Sequence, residues 1–385
     1  MTAILADNLL RLRKNRGDSQ GKLAEAVGLS MQAYRNLEKG ISQPRRDTLT
    51  ALAQALDVRL PELLKPARKL ERVRFRSLKK LKRRDQILVE VAQWLEDFAS
   101  LEQLTGERTD DGLEPIWAEL AATGQRDIPA LAAHVRERFG LAPGAPVHDI
   151  CGLLESKGIK VFSRSVASDA FMGLSIAAGD GGPAVVVNTW ERLPVETWIF
   201  SAAHELAHLI LHLSAYDVRE DHEEPQQEKA ADAFASHFLM PHGAFLSEWL
   251  DAEGLPLIDR VLKIKRVFRV SWRTVLYRIA EQLPEDKRPI IWRDFNLAYQ
   301  NRHGRSLLKH DEPDGISEEI YQSAQGQRPV GIEPAGMDRH DFQGDRLWRL
   351  VRHAIEQEKI TLSRGAEILN LSLAEMRDLS AGWLR

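Results

Sequence analysis

Residues 196–212 read ETWIFSAAHELAHLILH. Nothing in the run breaks a helix. Trp198, Ile199, Phe200, Leu206, Leu209 and Ile210 spread apolar surface around nearly the whole 3.6-residue period. A helix that is apolar on nearly every side is a buried helix, so its few polar side chains need partners inside the protein. Among those side chains are His204, Glu205 and His208. Two histidines four apart stand on one helix face, one turn from each other, where two imidazoles can share a single ion.

The H-E-x-x-H string suits zinc. Zinc lowers the pKa of a water it holds to about 7, and Glu205 stands where it can take that water's proton without ligating. A catalytic zinc also needs a third protein ligand and one open position. The metzincin arrangement would place a histidine ten positions after His204, but Ser214 is there. His212 shares the helix face and could ligate only if the helix bent, so a packing or supporting role suits it better. Glu228 is the stronger candidate. It opens EKAADAFASHFLMP, whose Ala231, Phe234, Ala235, Phe238 and Leu239 should pack on the first helix. Glu228 and Asp232 are four apart and share a face. That pair suits one carboxylate on the metal and one on the other nitrogen of a ligand histidine, fixing its tautomer. His237, His222, Tyr216 and Arg219 are near enough in sequence to be donors to a developing oxyanion, and the sequence does not choose among them.

Short strands are expected at residues 159–162 (after the break at Gly158), at 173–176 and at 183–188 (PAVVVN), the last two separated by the turn AAGDGG. With these, HELAHLILH and the later E-x-x-A-D-x-F-A-x-x-x-L-M-P resemble the ImmA/IrrE family of bacterial metallopeptidases over residues 126–295. The resemblance implies a gluzincin-like zinc site with His204, His208 and Glu228 as ligands, Glu205 as catalytic base, and Asp232 bonded to a ligand histidine. It also implies cleavage of a partner regulator, often a helix-turn-helix repressor, in stress response or mobile-element induction.

Residues 6–64 form a run of short amphipathic segments. Gly17 ends a first helix and Ser19 can cap a second. Gly28 and Leu29 make a tight turn, and Ser30 caps a third helix stopped by Gly40. This is similar to Cro/repressor-type (XRE) helix-turn-helix domains, down to the LEKG, QP and LAQALDV segments. The expected groove-facing residues are Met31, Gln32, Tyr34, Arg35 and Asn36, with Arg45 and Arg46 near phosphates. Such domains commonly bind two half-sites as dimers, so a homodimer is an open possibility.

A basic stretch follows (Lys65, Arg68, Lys69, Arg72, Arg74, Arg76, Lys79, Lys80, Lys82, Arg83 and Arg84), which reads equally as phosphate-neutralising or as a solvated helical linker. KRVFRVSWRTVLYRIAE, capped by Ser271, has a helix-turn-helix look and is expected to support the catalytic domain, and ITLSRGAEILNLSLAEMRDL, capped by Thr361 or Ser363, repeats the theme as a helical packing or partner element. Residues 296–342, rich in Gly, Pro, Asp and His, read as long loops.

The expected fold is mainly α and multidomain. It comprises a five-helix helix-turn-helix domain (1–65), a charged helical linker (66–125), an α+β zincin-like (gluzincin) peptidase domain with a small sheet (126–295) and a loop-rich then helical C-terminal region (296–385). The single cysteine, Cys151, excludes a disulfide framework and cysteine-rich zinc modules, and reads as an inert core thiol. The start MTAILADNLLRLRKNRG lacks the apolar run of a signal peptide, and no segment of about 20 apolar residues is present, so a cytoplasmic protein is expected. The net charge of −3 identifies no partner. These features point to a DNA-associated zinc endopeptidase acting on a protein regulator. The alternative is a helix-turn-helix regulator or antitoxin whose peptidase-like domain is a sensor or is latent.

Overall fold

The computed structural model describes residues 2–16, 18–56, 58, 60–64, 70–75, 84–109, 112–124, 127–212, 216, 224–313 and 336–383. The chain divides into two compact units, residues 1–70 with 82–96 and residues 71–81 with 97–385.

Residues 1–70 of the first unit hold five short helices, α1 (Thr2–Arg16), α2 (Gln20–Ala26), α3 (Met31–Glu38), α4 (Arg46–Leu56) and α5 (Leu60–Leu64). Local chemistry sets the boundaries. Ser19 and Ser30 accept hydrogen bonds from Lys22 N and Ala33 N, capping α2 and α3. Gly28 turns the chain between them at a positive φ that a side chain would strain. Leu5, Leu9, Leu23, Tyr34, Leu37, Leu52, Leu56 and Leu63 form the core. Arg13 of α1 grips both carboxylate oxygens of Glu38 at the end of α3, at 2.8 and 2.6 Å, and both side chains are largely buried.

The second unit is built on a four-stranded mixed sheet. Its strands are β1 (Val73–Phe75), β2 (Lys160–Arg164), β3 (Gly173–Ile176) and β4 (Ala184–Asn188), in spatial order β1-β3-β4-β2. Strand β4 runs parallel to β2 and antiparallel to β3, and β1 pairs antiparallel with β3. The three later strands lie where the sequence places them. β1 does not: it falls inside the segment expected to be a helical linker. The rest of that segment holds α6 (Arg84–Thr105) and α7 (Glu114–Thr123).

Against the sheet packs α10 (Val195–Leu211), reached after α8 (Ile128–Arg138) and α9 (Ile150–Ser156). Residues 201–210 of α10 are all buried. Its Trp198, Ile199, Leu206, Leu209 and Ile210 each contribute roughly 1.5–3 kcal/mol on burial, together on the order of 10 kcal/mol. That gross gain can carry the cost of taking a few polar groups out of water, provided those groups are hydrogen-bonded. Trp117 Nε1 donates to Leu209 O at 2.9 Å, fixing the last turn of α10. α11 (Pro225–Leu239) lies across α10 and α8, and Arg136 of α8 donates to Phe238 O at 2.6 Å.

Then come α12 (His242–Asp251), α13 (Leu257–Phe268), α14 (Trp272–Glu281) and α15 (Arg288–His303), the last of these carrying helix into the segment expected to begin as loop. The C-terminal region ends in α16 (Arg346–Glu356), α17 (Leu362–Leu369) and α18 (Leu373–Ala381), with Thr361 capping α17. Arg346 bonds Glu102 and lies over the Phe98 ring, as does Lys160 of β2, tying α16 to the sheet. Cys151 is buried in the core, and burial pushes its thiol well above the ordinary range, away from the thiolate. Among the described residues, no helix is long and apolar enough to cross a membrane.

Replacing Glu38 with glutamine leaves the Arg13 guanidinium without its counter-charge, at a cost on the order of 3 kcal/mol. Hydrogen–deuterium exchange on the full-length chain should then show α1 and α3 amides opening on the order of 100-fold more often. Unchanged exchange would mean the pair contributes nothing measurable. Burial pushes the Glu38 carboxyl up, but the Arg13 guanidinium outweighs it and holds the carboxyl below its usual range. The stabilisation is therefore in force above the ordinary carboxylate pKa and is lost as pH falls through the lower folded value.

Candidate metal centre

α10 presents His204, Glu205 and His208, and the first turn of α11 presents Glu228. The two Nε2 atoms of His204 and His208 face each other at 2.9 Å. Glu228 Oε2 is 3.2 Å from His204 Nε2, and Oε1 is 3.3 Å from His208 Nε2. One donor atom from each of the three residues lies within 4.8 Å of the others. Three ligands at tetrahedral angles, each about 2.0–2.1 Å from zinc, stand about 3.3 Å apart. The observed separations of 2.9 to 3.3 Å fit that ion with little adjustment.

The supporting bonds point the same way. Asp232, one turn after Glu228, places Oδ1 2.8 Å from His204 Nδ1. A carboxylate there keeps the proton on Nδ1 and leaves Nε2 as a lone pair aimed at the common point. His208 Nδ1 lies 2.9 Å from His212 Nδ1 at the end of α10. His212 therefore meets His208 from outside the cluster and is not itself part of it. Burial pushes His208 down to about 3, with the neighbouring Glu228 opposing, and pushes His212 down to about 4. Both imidazoles are neutral at ordinary pH, which is the form that ligates a metal.

Glu205 is buried beside the cluster and packs onto β3. A Cβ on Gly173 would come 3.1 Å from Glu205 Oε1 and 2.9 Å from Val186 O, so the strand can approach the carboxylate only with glycine there. Of the four residues weighed as oxyanion donors, Tyr216 donates its hydroxyl to Ser175 Oγ at 2.9 Å, and His237 Nε2 lies 3.6 Å from Glu281. Arg219 and His222 lie outside the described residues.

One residue at the site was missed by the sequence reading. Arg74 of β1 is buried, and its Nη2 donates to Glu228 Oε1 at 3.3 Å. The basic stretch made it look like a solvated or phosphate-facing charge. The signal in hindsight is V-R-F, where apolar residues flank the charge with the period of a strand. Of that stretch, Arg72 is exposed and lies just before β1, and Lys65, Arg68, Lys69, Arg76, Lys79, Lys80, Lys82 and Arg83 lie outside the described residues.

On α3, Met31, Gln32 and Arg35 are exposed and Asn36 is partly so. Gln32 Nε2 donates to Asn36 Oδ1 at 3.1 Å. Arg45 and Arg46, at the start of α4, are exposed. Tyr34 corrects the expectation. It is 0% exposed and sits in the core of the unit, because its ring follows the apolar face that carries Leu37, with the hydroxyl beside Glu38 and Arg13. It cannot face a DNA groove.

Two stretches of the chain match family models. Residues 154–280 match the IrrE N-terminal-like domain, and residues 9–63 match a helix-turn-helix. Among curated proteins, the chain is similar to the "uncharacterized HTH-type transcriptional regulator y4dJ" of Sinorhizobium fredii (strain NBRC 101917 / NGR234). The two are 38% identical over 66 residues, which is 17% of this chain and 86% of that protein. The buried H-E-x-x-H helix with its facing carboxylate lies in the first match, and the capped α2–turn–α3 pair in the second. Residues 154–280 are thus similar to the IrrE N-terminal-like domain, and the chain carries a helix-turn-helix domain of the repressor (XRE) type at its N-terminus.

Proposed function

We propose that the protein is a DNA-associated zinc endopeptidase that cuts a partner protein, a transcriptional repressor, in stress response or mobile-element regulation. The observation that supports this best is the meeting of His204, His208 and Glu228 around one point, with Glu205 beside it. His204, His208 and Glu228 would hold zinc, and Asp232 fixes the His204 tautomer. Zinc supplies Lewis acidity, acidifying water and polarising the scissile carbonyl. Glu205 takes the proton of the attacking water and returns it to the leaving nitrogen, so that hydrolysis is balanced. The exposed Gln32 and Arg35 would read bases, and Arg45 and Arg46 would meet phosphates. These DNA contacts place the enzyme where its substrate, a DNA-bound regulator, is concentrated.

Glu205→Gln should keep about one zinc per chain and lose cleavage, and Glu228→Ala should lose most of the zinc. Elemental analysis checks the metal. Substrates are sought by labelling new protein N-termini in cells that express the wild type or Glu205→Gln. New termini in a DNA-binding regulator, present only with the wild type, are expected. Identical sets of termini in the two strains would sink the peptidase proposal.

Arg46→Ala should reduce the slope of log K against log salt by about 1 on a random-sequence duplex. An unchanged slope would remove Arg46 from the phosphate contacts.

A further inference from the structure

The segment that follows the helix-turn-helix unit in sequence enters the peptidase unit as β1 and brings a charge to the metal centre. Its place is fixed by backbone bonds. Asp180, in the turn between β3 and β4, accepts from the N–H groups of Glu71 and Arg72, both at 2.6 Å. Ala177 N donates to Arg72 O at 3.2 Å. From there β1 runs antiparallel to β3, with Val73, Arg74 and Phe75 opposite Ile176, Ser175 and Leu174. Side chains alternate along a strand, so Arg74 shares a sheet face with Ser175, whose hydroxyl meets Tyr216. The register therefore leaves the Arg74 guanidinium little freedom. It is buried, and Nη2 donates to Glu228 Oε1.

That oxygen is also the one facing His208 Nε2. Glu228 stands on the first turn of α11 with a long side chain, and only a fixed partner keeps such a carboxylate turned toward the imidazoles. Asp232 performs this service for His204, and Arg74 meets Glu228 Oε1 from β1. A guanidinium near a metal ion would be a like charge, and the Glu228 carboxylate, within 3.3 Å of Arg74 Nη2 and of both imidazole Nε2 atoms, would attract both. Arg74 lies 80 positions before the segment that matches the peptidase family model.

We propose that Arg74 is a positioning residue of the metal centre, holding Glu228 in its ligand orientation from β1. This rests on the reading of His204, His208 and Glu228 as zinc ligands. The strand after the DNA-binding unit would then complete a site whose other parts come from α10 and α11.

The test uses full-length, metal-stripped wild type, Arg74→Ala and Arg74→Lys. Each is titrated with Zn2+ against a chromophoric chelator, and then with Co2+, whose absorption reports the ligand set. Loss of a partner that orients a ligand typically costs 10–100-fold in metal affinity. Arg74→Ala should bind Zn2+ that much more weakly and change the Co2+ spectrum. Arg74→Lys, which keeps the charge without the planar fork, should recover part of the affinity. Its partial rescue separates positioning from simple loss of the strand, because loss of the strand would lower the melting temperature of both metal-free variants. Arg74→Ala binding Zn2+ as tightly as the wild type, or more tightly, overturns the proposal and leaves the metal reading standing. A wild type that binds no Zn2+ overturns the metal reading itself.

Discussion

A helix cannot take His204, Glu205 and His208 out of water and leave their polar atoms without partners. The peptidase unit is arranged around that constraint. The apolar surface of α10 drives it between the sheet and α11, and burial that strong settles its position before any polar contact is counted. What remains is to satisfy the three polar side chains. α11 meets the two histidines with carboxylates one turn apart, Glu228 toward the two Nε2 atoms and Asp232 toward His204 Nδ1. At the other end of α10, Glu196 is buried as well and meets Lys265 of α13. The helix therefore carries two buried charge arrangements, one at its start and one near its end. Only the second brings three ligand atoms to a single point.

The constraint also reaches the sheet. β3 must come close to Glu205, and Gly173 is the residue that lets it. Once β3 is there, its outer edge is open to pairing, and an open edge invites another strand. β1 takes that edge, and with it Arg74 arrives opposite Ser175.

How much of this could be read from the sequence depended on how local each signal is. His204 with His208, and Glu228 with Asp232, are pairs at helical spacing, and the physics of one turn makes them visible in a string of letters. The strands over 160–164, 173–176 and 184–188 announced themselves by apolar runs and a glycine-rich turn. β1 did not, because three residues in a basic stretch carry too little pattern to stand out from a solvated helix, and its partner strand lies about 100 positions later. Arg74 was legible as a charge and illegible as a neighbour of Glu228 for the same reason. Tyr34 failed in the opposite direction. Its hydroxyl suggested a polar face, but a tyrosine is mostly ring, and three positions before Leu37 the ring goes inward.

Among the described residues one turn occurs three times, and its outcomes separate folding from function. After α2, α13 and α17 stands a residue at positive φ (Gly28, Arg269 and Asn370), then an apolar residue whose N–H returns to a carbonyl five positions back, then a serine that caps the next helix. The local chemistry is the same: Leu29 N to Ala24 O, Val270 N to Lys265 O and Leu371 N to Ala366 O. Burial of the second helix makes the difference. In α14, Trp272, Thr274, Val275, Leu276, Arg278, Ile279 and Ala280 are all buried, so only the narrow stripe of Arg273, Tyr277 and Glu281 stays uncovered, and the unit serves packing. In α18 only Met376 is buried, but the exposed Glu375 and Asp378 would meet phosphates with the wrong sign. Helix α3 alone of the three combines an exposed face bearing Gln32 and Arg35 with two exposed arginines just beyond it. The turn makes a helix pair, and what the second helix leaves uncovered decides whether that pair can read DNA.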